Sequence, residues 1–425
     1  MDLPCKYSIC NTRSFFYQIF LELIFRIALV PSLRQSKRMN EKWIQSQLKQ
    51  YAENGLKRAA RCYPETGGKI TINGTEYCNF SSNDYLDLAH HPHAIESARQ
   101  ALEKYGTGAT ASRLVSGTLP IHEELEERLA HEKGYEASLV MGAGYLANAA
   151  TIPVLVGRND FIFADKWVHA SMIDACKLSG AKLIRFAHND LQSLADRLDQ
   201  FPAQNNRRLI LTESVFSMDG DLAPLTEIAA LATQHEAMLM VDEAHSTGIF
   251  GSHGAGRIRE LNLEKSVTVS MGTLSKALAG SGGFVACSQS LRTLLIHSAR
   301  AFIYTTAPSP AVVGAALGVL DILKATPTLG NILLANADYF RSLLHSGQLD
   351  TLQSQSQIIP IVVGENSRAV ALSKKLYEQG IIAPAIRPPT VPEGTARIRL
   401  SITLAHHVDD LERTAEIIIK TLKQL

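Results

Sequence analysis

The sequence predicts an α/β protein with a mostly parallel seven-stranded sheet flanked by helices, followed by a small C-terminal α+β domain. From residue 81 to about residue 320, strand-like and helix-like segments alternate along the chain. Several strand segments are continuous apolar runs, such as Met238-Leu-Met-Val241, which is typical of a parallel sheet covered by helices on both faces. After the break at Pro327-Thr-Leu-Gly330 the pattern changes, which indicates a second, smaller domain.

Each element is predicted from its apolar periodicity and from the turn residues that flank it. The predicted strands of the large sheet are residues 138–141, 160–164, 182–186, 208–212, 238–242, 267–270 and 283–287. The helices predicted between and after them include 121–131, 145–156, 191–198, 225–235 and 309–325. The C-terminal part is predicted to form a helix from residue 331, strands 358–363, 381–386 and 396–402, and helices 368–378 and 408–422.

The residues before this alternation predict a helix over 41–60 and a hairpin. Asn73-Gly74 separates the apolar strands 69–72 and 77–80, and Asn-Gly favours the tight turn of a β-hairpin. The resulting domain division is an N-terminal extension over 1–38, a helix-and-hairpin segment over 39–80, a large domain over 81–325 and a small domain over 326–425.

Composition excludes several classes of protein. The chain has 425 residues, of which 46% are apolar and 20% charged, and its net charge of +1 gives no basic surface for nucleic acid. None of the six cysteines forms a CxxC pair or a zinc-type Cys/His cluster, so we expect free thiols in the cytoplasm and no metal site.

The first 38 residues predict an extension outside the fold. Residues 15–30 are apolar, but Glu22 and Arg26 interrupt them, and the stretch is too short and too charged for a membrane span. Met39 resembles a second start. A membrane-surface anchor is the alternative for this extension.

Lys276 is the first candidate for chemistry. It follows the strand at 267–270 and precedes a small-residue stretch from Gly280 to Gly283. Thr273 and Ser275 offer hydroxyl groups to an anion, and glycines let a flat ligand approach the backbone. A lysine that is removed from water can lose its charge, as a Schiff-base lysine must. A solvated surface lysine is the alternative.

Asp242 ends a buried strand and begins the sequence Asp242-Glu-Ala-His245. This string also occurs in helicases, but the chain has no phosphate loop of the form GxxxxGK[ST], so we reject that interpretation. A carboxylate here could keep a cofactor's ring nitrogen protonated, and His245 could bond a phenolic oxygen of the same ligand. A helix-capping aspartate and a structural histidine are the alternatives.

Three further turns follow predicted strands. Gly142-Ala-Gly-Tyr-Leu-Ala-Asn148 leads into a helix whose backbone N–H groups suit a phosphate, and Tyr145 adds an aromatic ring beside them. His169 could stack on a planar ring, and Ser217 could add a hydroxyl contact. The alternatives are a tight turn, a solvent-facing histidine at a helix start and an ordinary turn serine.

Arg397 and Arg399 lie two apart on one face of a predicted strand. Together they could hold a substrate carboxylate as a fork, although a surface charge pair is the alternative. Each of these signals is weak alone. The anion- and ring-binding candidates gain weight together because the carboxyl ends of parallel strands meet at one edge of a sheet.

These motifs resemble the α-oxoamine synthases, which use pyridoxal 5′-phosphate and have the aspartate-aminotransferase fold (fold type I of these enzymes). The resemblance covers residues 41–425. The stretches that carry it are Asn79-Phe-Ser-Ser-Asn-Asp-Tyr-Leu86, Gly144-Tyr-Leu-Ala-Asn148, Arg185-Phe-Ala-His-Asn-Asp190, Val215-Phe-Ser-Met-Asp-Gly-Asp221, Val241-Asp-Glu-Ala-His245, Thr273-Leu-Ser-Lys276 and Ile386-Arg-Pro-Pro-Thr-Val-Pro392.

The resemblance implies a role for each matching residue. Lys276 binds the cofactor covalently and then acts as acid and base, Asp242 pairs with the ring nitrogen, His169 stacks on the ring and His245 bonds its phenolic oxygen. The phosphate side is implied to comprise Gly144, Tyr145, Thr273 and Ser217. The substrate side is implied to comprise Asn83, His169, Thr390 and Arg399. The family also implies a homodimer with active sites at the subunit interface, in which Thr305 and Thr306 reach the partner's phosphate.

The implied reaction is an acyl transfer in biotin synthesis that joins L-alanine to a pimeloyl thioester, carried by coenzyme A or acyl carrier protein, and releases carbon dioxide. The alternatives are family members that use glycine or another small amino acid, namely 2-amino-3-ketobutyrate ligase, 5-aminolevulinate synthase and autoinducer synthases. A non-catalytic cofactor-binding protein is a more distant alternative.

Two positions depart from the family pattern. Asp87 replaces the glycine that usually follows Asn-Asp-Tyr-Leu. The N-terminal arginine that meets the acyl carboxylate has no clear match, because Ala60 occupies the expected position and both Arg58 and Arg61 are candidates.

Overall fold

The computed structural model describes residues 31–54 and 56–425. Contacts within the chain divide it into two units, one ending at Cys62 and the other covering Tyr63–Leu425. In the first unit, helix α1 spans Pro31–Glu53, so it begins and ends earlier than the predicted helix over 41–60. The predicted extension falls mostly outside the described residues, and α1 continues across residues 38 and 39. The proposed domain boundaries stay a prediction.

The second unit begins with a hairpin. Strands β1 (Lys69–Ile72) and β2 (Thr75–Asn79) pair in antiparallel fashion, with Ile72 opposite Thr75. Asn73 and Gly74 both have positive φ, 50° and 79°, which is the geometry of the turn that Asn-Gly favours. The predicted hairpin is confirmed.

The large sheet contains seven strands within the described residues, in the order β3-β9-β8-β7-β6-β4-β5. Its strands are β3 (Ala137–Met141), β4 (Phe161–Asp165), β5 (Lys182–Phe186), β6 (Arg208–Glu213), β7 (Met238–Asp242), β8 (Val269–Thr273) and β9 (Gly283–Cys287). Only β9 runs antiparallel to both of its neighbours. The mostly parallel seven-stranded sheet predicted from the sequence is confirmed.

Helices cover both faces of this sheet, as continuous apolar strands require. The helices of this region are α2 (Pro92–Tyr105), α3 (Pro120–Lys133), α4 (Gly144–Leu155), α5 (Ala170–Ser179), α6 (Leu191–Gln200), α7 (Leu225–Gln234), α8 (Arg257–Glu260), α9 (Gln289–Ser298), α10 (Arg300–Ile303) and α11 (Pro310–Ala325). Along β6, Leu209 and Leu211 enter the core under α4 and α5, whereas Ile210 enters the core under α6 and α7. This alternation follows from the period-two geometry of a strand.

The C-terminal region forms a three-stranded antiparallel sheet, β10-β13-β12. Its elements are α12 (Leu329–Ser346), β10 (Ile358–Gly364), α13 (Asn366–Tyr377), β11 (Ile381–Ile382), β12 (Ala385–Ile386), β13 (Ala396–Ser401) and α14 (Val408–Lys423). The single strand predicted over 381–386 is wrong. Pro384 has no N–H for a ladder, so the chain breaks there, and β11 pairs with β2 while β12 pairs with β13.

Within the described part of the chain, no single helix is long and apolar enough to cross a membrane. Helices α11 and α12 together have the length and apolar composition of a span, but the chain bends by 80° between them. Much of α11 is buried in the core of the second unit, including Val313 and Leu317.

Candidate active site

The carboxyl ends of the parallel strands meet at one edge of the large sheet, and a cavity of about 350 Å³ opens there. Of the residues to which the resemblance assigned a cofactor or substrate role, all except Thr390 line this cavity. These residues are Asn83, Gly144, Tyr145, His169, Ser217, Asp242, His245, Thr273, Lys276 and Arg399. Residues up to 316 positions apart in sequence therefore share one site (399 minus 83).

Asp242 is a fixed, buried carboxylate at the end of β7. The side-chain amide of Asn148 donates to its Oδ2 at 3.1 Å, and the backbone N–H of Ala244 donates to its Oδ1 at 2.9 Å. Asn148 comes from α4 and also bonds Ser171 at 2.9 Å, so three elements fix the carboxylate. Two donors stabilise the ionised form, which suits an acid that pairs with a cationic nitrogen.

Lys276 lies in the loop between β8 and β9, where its side chain is only partly exposed. Burial lowers the pKa of its amine from the usual 10.5, while the negative charge of Asp242 and the proximity of Glu213 oppose this shift. A larger share of the amine is therefore neutral at a given pH than in a surface lysine. The neutral amine is the form that attacks an aldehyde.

Two histidines line the cavity together with Lys276, and the pKa of each is lowered, which favours the neutral imidazole. Desolvation lowers the pKa of His169, with Asp242 opposing, and its Nδ1 lies 2.7 Å from the Ser171 hydroxyl. His169 caps the start of α5 and its residue is exposed at the mouth of the cavity. His245 is buried, and burial followed by the charge of Lys276 lowers its pKa well below the usual value. Uncharged imidazoles can lie against a flat ring or bond an oxygen without adding charge.

Tyr85 is a site residue whose role the sequence did not predict. Its ring is fully buried, its hydroxyl lies 2.7 Å from Nδ1 of His245, and the same hydroxyl donates to Oδ1 of Asn83 at 3.1 Å. Tyr85 thus connects two predicted site residues. The stretch Asn83-Asp-Tyr85 reads as a loop, and nothing local reveals a partner 160 residues away.

Gly144 and Thr273 form a close wall of the cavity. A Cβ added at Gly144 would lie 2.5 Å from Cγ2 of Thr273, so only glycine fits at the start of α4. The Thr273 hydroxyl is buried and, within the described residues, has no hydrogen-bond partner. An unsatisfied hydroxyl beside a helix N-terminus is suited to a phosphate oxygen.

The predicted fork of Arg397 and Arg399 is wrong. Arg397 forms an ion pair with Asp219 and does not line the cavity. Arg399 does line it, and its guanidinium donates to the backbone carbonyl of Ser217 at 2.6 Å and to the Ser401 hydroxyl at 2.8 Å. One arginine, fixed by two contacts, therefore faces the cavity.

Glu213 lines the cavity, and the sequence did not predict it as a site residue. It ends β6 directly beside Asp242, and its side chain is buried. Its Oε1 has no hydrogen-bond partner among the described residues. Burial, followed by the nearby charge of Asp242, raises the pKa of Glu213 well above its usual value. The protonated form of Glu213 is therefore favoured more than it would be in water.

The remaining predicted residues lie outside the cavity lining. Thr390 is exposed in the turn after Arg387, and Thr306 is exposed and pairs with Ser112 in an isolated bridge. Arg58 and Arg61 belong to the first unit. The roles that the resemblance implied for these residues stay predictions.

Comparison with known proteins defines the class. The sequence matches the family described as aminotransferase class I and II over residues 75–418. The chain belongs to this family.

Within this family, the chain is similar over most of its length to enzymes of one name. The chain is 44% identical over 385 residues to 8-amino-7-oxononanoate synthase of Geobacter sulfurreducens, covering 90% of this chain and 98% of the relative. It is 41% identical over 378 residues to the same enzyme of Symbiobacterium thermophilum, covering 88% and 96%.

Two solved structures share the fold. A serine palmitoyltransferase of S. paucimobilis, solved with PLP and myriocin bound, has a TM-score of 0.84 and 28% identity, and the match covers 90% of this chain and 98% of that one. An 8-amino-7-oxononanoate synthase of Francisella tularensis has a TM-score of 0.72 and 31% identity, with coverage of 82% and 98%. The resemblance to α-oxoamine synthases and the expected fold are confirmed.

Proposed function

We propose that the chain catalyses the pyridoxal-phosphate-dependent condensation of L-alanine with a pimeloyl thioester, with loss of carbon dioxide, to give 8-amino-7-oxononanoate for biotin synthesis. The observation that carries this proposal is the convergence of Lys276, Asp242, His169 and His245 on one cavity. The chain that places them there is 44% identical over 90% of its length to an enzyme of that name.

Three features of the cavity suit pyridoxal phosphate. The unsatisfied Thr273 hydroxyl and the glycine at 144 suit the phosphate, and the fixed carboxylate of Asp242 suits a protonated ring nitrogen. When bound, the cofactor supplies an aldehyde that bonds to amines and a cationic ring that draws electrons from an adjacent breaking bond.

Each residue of the site would have a separate role. With pyridoxal phosphate bound, Asp242 would hold a proton on the ring nitrogen, His169 would lie against the ring, and His245 would bond the phenolic oxygen. Lys276 would bind the cofactor through Nζ, and its amine, when free, would take the proton from Cα of alanine and later return a proton to the same carbon.

The substrate side of the cavity contains Asn83, Arg399 and, by proposal, Thr390. Arg399 is fixed by Ser217 and Ser401, so its positive charge is oriented before substrate arrives. A preoriented guanidinium binds a carboxylate with little further ordering.

The test is a substrate comparison with purified protein and pyridoxal phosphate. L-alanine should change the absorption spectrum of the bound cofactor, and L-alanine with pimeloyl coenzyme A or pimeloyl acyl carrier protein should release carbon dioxide and thiol in equal amounts. Glycine with acetyl coenzyme A, and L-serine with palmitoyl coenzyme A, are assayed in parallel as alternative substrate pairs. Faster turnover of either alternative pair would replace the proposed one. An unchanged spectrum with every amino acid would indicate a non-catalytic protein.

We also propose a homodimer. Leu114, Val115 and Tyr304 are apolar or aromatic residues with exposed fractions of 51%, 81% and 72%. They lie on adjoining segments, because Ser112 pairs with Thr306 beside them. An exposed apolar surface of this kind suits a two-fold contact, which would also bring Thr305 and Thr306 towards a partner's active site. Light scattering should give the mass of a dimer, and Val115→Asp should give the mass of one chain.

The domain division proposed from the sequence is supported by the sheets. Strands β3 to β9 lie between residues 137 and 287, and the separate sheet of β10, β12 and β13 lies between residues 358 and 401. We propose a cytoplasmic location, supported by the free thiols of Cys62, Cys78, Cys176 and Cys287.

A further inference from the structure

His188 lies beside the active-site edge, outside the cavity, and both of its ring nitrogens meet a carboxylate. Nδ1 lies 3.0 Å from Oδ1 of Asp165, and Nε2 lies 2.7 Å from Oδ2 of Asp221. The Trp167 ring stacks on one face of the imidazole with a centroid distance of 3.9 Å, and Phe216 meets it edge-on at 4.3 Å. A histidine bonded in this way at both nitrogens is a donor at both, which only the protonated imidazole can be.

The electrostatics agree with this geometry. Burial lowers the pKa of His188, but the hydrogen bonds and charges of Asp165 and Asp221 outweigh burial and raise it to about 9. Both carboxylates are themselves buried, so a neutral imidazole would leave two buried negative charges close together.

Among the described residues, Asp165 and Asp221 are the hydrogen-bond partners of the two ring nitrogens. Arg185 on β5 interacts with Asp165 and donates to the backbone of Lys166, and Asp190 caps α6 by accepting from Ser193 at 2.9 Å. Asn189 adds a neutral bond to Asp221 at 2.8 Å.

The two carboxylates belong to the loops that carry active-site residues. Asp165 ends β4, and His169 follows four residues later, after Trp167 and before α5. Asp221 closes the loop after β6 that carries Ser217 into the cavity, and its backbone carbonyl accepts from Phe216 at 3.0 Å. One imidazole therefore bridges the loop bearing His169 and the loop bearing Ser217.

We propose that His188 is a positively charged positioning residue that clamps the loop bearing His169 to the loop bearing Ser217 and thereby holds the cofactor cavity at its width. His188 does not touch the cavity and takes no part in bond making. Loss of its charge would let the two carboxylates repel and the loops separate, so that cofactor binding weakens. The link to the cofactor rests on the proposed function, whereas the charged clamp itself does not.

The first test measures the charge of His188 in the cofactor-free full chain. The chain has two tryptophans, so Trp43→Phe leaves Trp167, stacked on His188, as the sole tryptophan reporter. A protonated imidazole quenches indole fluorescence more strongly than a neutral one. We expect emission to rise with a midpoint near pH 9, and this transition to vanish when His188→Gln is added. A midpoint near the ordinary 6.5, or the same curve in both variants, would overturn the clamp.

The second test measures the dissociation constant of pyridoxal phosphate. At about pH 7, His188→Gln should weaken binding about tenfold, equivalent to about 1.4 kcal/mol. The ratio between variant and parent should approach one at about pH 10, because the parent has then lost the same charge. Adding Asp221→Asn to His188→Gln removes one uncompensated charge and should restore most of the affinity.

The matched control is His235→Gln, the same change at a histidine near Asp199, 3.8 Å away, on the end of α7. It should leave both readouts unchanged. A pH-independent ratio, or a double variant no better than His188→Gln, would show a merely structural role and overturn the proposal. If the parent fails to bind pyridoxal phosphate at all, the proposed function is wrong. The fluorescence transition still tests whether His188 is the charged link between the two loops.

Discussion

The hydroxyl of Tyr85 lies 2.7 Å from Nδ1 of His245, in a buried contact between residues 160 positions apart. A phenol that bonds Nδ1 sets which nitrogen of the neutral imidazole carries the proton, and so determines what the other nitrogen offers to the cavity. Tyr85 therefore affects the cofactor site through His245 and Asn83 rather than through its own exposure.

Tyr85→Phe should weaken the binding of pyridoxal phosphate while leaving the fold intact. The change leaves Nδ1 of His245 buried without its partner, which costs about 1–3 kcal/mol. Equilibrium titration with the cofactor measures the loss. Tyr135→Phe is the control, because that hydroxyl bonds the Val267 carbonyl at 3.1 Å and does not line the cavity. Equal effects of the two changes would contradict the role of Tyr85.

Lys276→Arg should abolish covalent retention of the cofactor. A guanidinium stays protonated and cannot form the bond to the aldehyde, so the absorption of bound cofactor should be lost on dialysis. Turnover should fall by roughly 10²–10⁴-fold or more, because the proton-transfer group is lost too. Lys265→Arg, at an exposed lysine, serves as the control and should behave as the parent. Retained turnover in the Lys276 variant would exclude this lysine.

The bond between Lys276 and the cofactor should form at lower pH than for a free lysine. Burial lowers the pKa of this amine below 10.5, so the reactive neutral form accumulates earlier as pH rises. Asp242 opposes that shift, and Asp242→Asn should therefore move the midpoint still lower. The rate of the spectral change at saturating cofactor, measured against pH, checks both statements. An upward shift in the variant would mean that Asp242 does not interact with this amine.

Gly144→Ala should weaken phosphate binding by displacing Thr273. The added methyl would lie 2.5 Å from Cγ2 of Thr273, so that side chain must move. Inorganic phosphate should then compete less well with the cofactor, as measured by titration. Gly108→Ala is the matched control, because an added Cβ there meets nothing within 4 Å. A normal affinity in the Gly144 variant would place the phosphate elsewhere.

Lys133→Ala should destabilise the protein by about 3–5 kcal/mol, because it leaves a buried carboxylate without its partner. Nζ of Lys133 lies 2.8 Å from Oε2 of Glu243, and both side chains are buried. Denaturant unfolding measures the change. Lys49→Ala removes an exposed pair with Glu53 at 3.6 Å and should change stability by less than about 1 kcal/mol. Similar losses in both variants would refute this account.

The ends of a strand were predicted closely where its local sequence has a clear strand pattern. The strands at 182–186, 238–242 and 283–287 have the predicted ends. Gly283–Cys287 is buried throughout and Met238–Asp242 almost throughout, whereas the edge strand at 182–186 buries only Ile184 and Phe186. The segment over 381–386 failed because Pro384 removes a donor and lets adjacent residues join different sheets.

The sequence predicted those site residues that follow a strand. It missed site residues that are recognisable only from contacts with distant parts of the chain. Asp242 and Lys276 follow apolar strands, so topology alone places them at the active edge. Arg397 looked equivalent to Arg399 from its spacing, and only the approach of Asp219 distinguishes the two. Glu213 and Tyr85 depend on burial and on long-range contacts that a local pattern does not encode.

The cavity draws its walls from residues as far apart in the sequence as Asn83 and Arg399. A chain emerging from the ribosome would therefore stay colourless with pyridoxal phosphate until residue 399 had been synthesised and folded. The colour of the holoprotein would report this step, and fragments released before it could not hold the cofactor in a complete cavity.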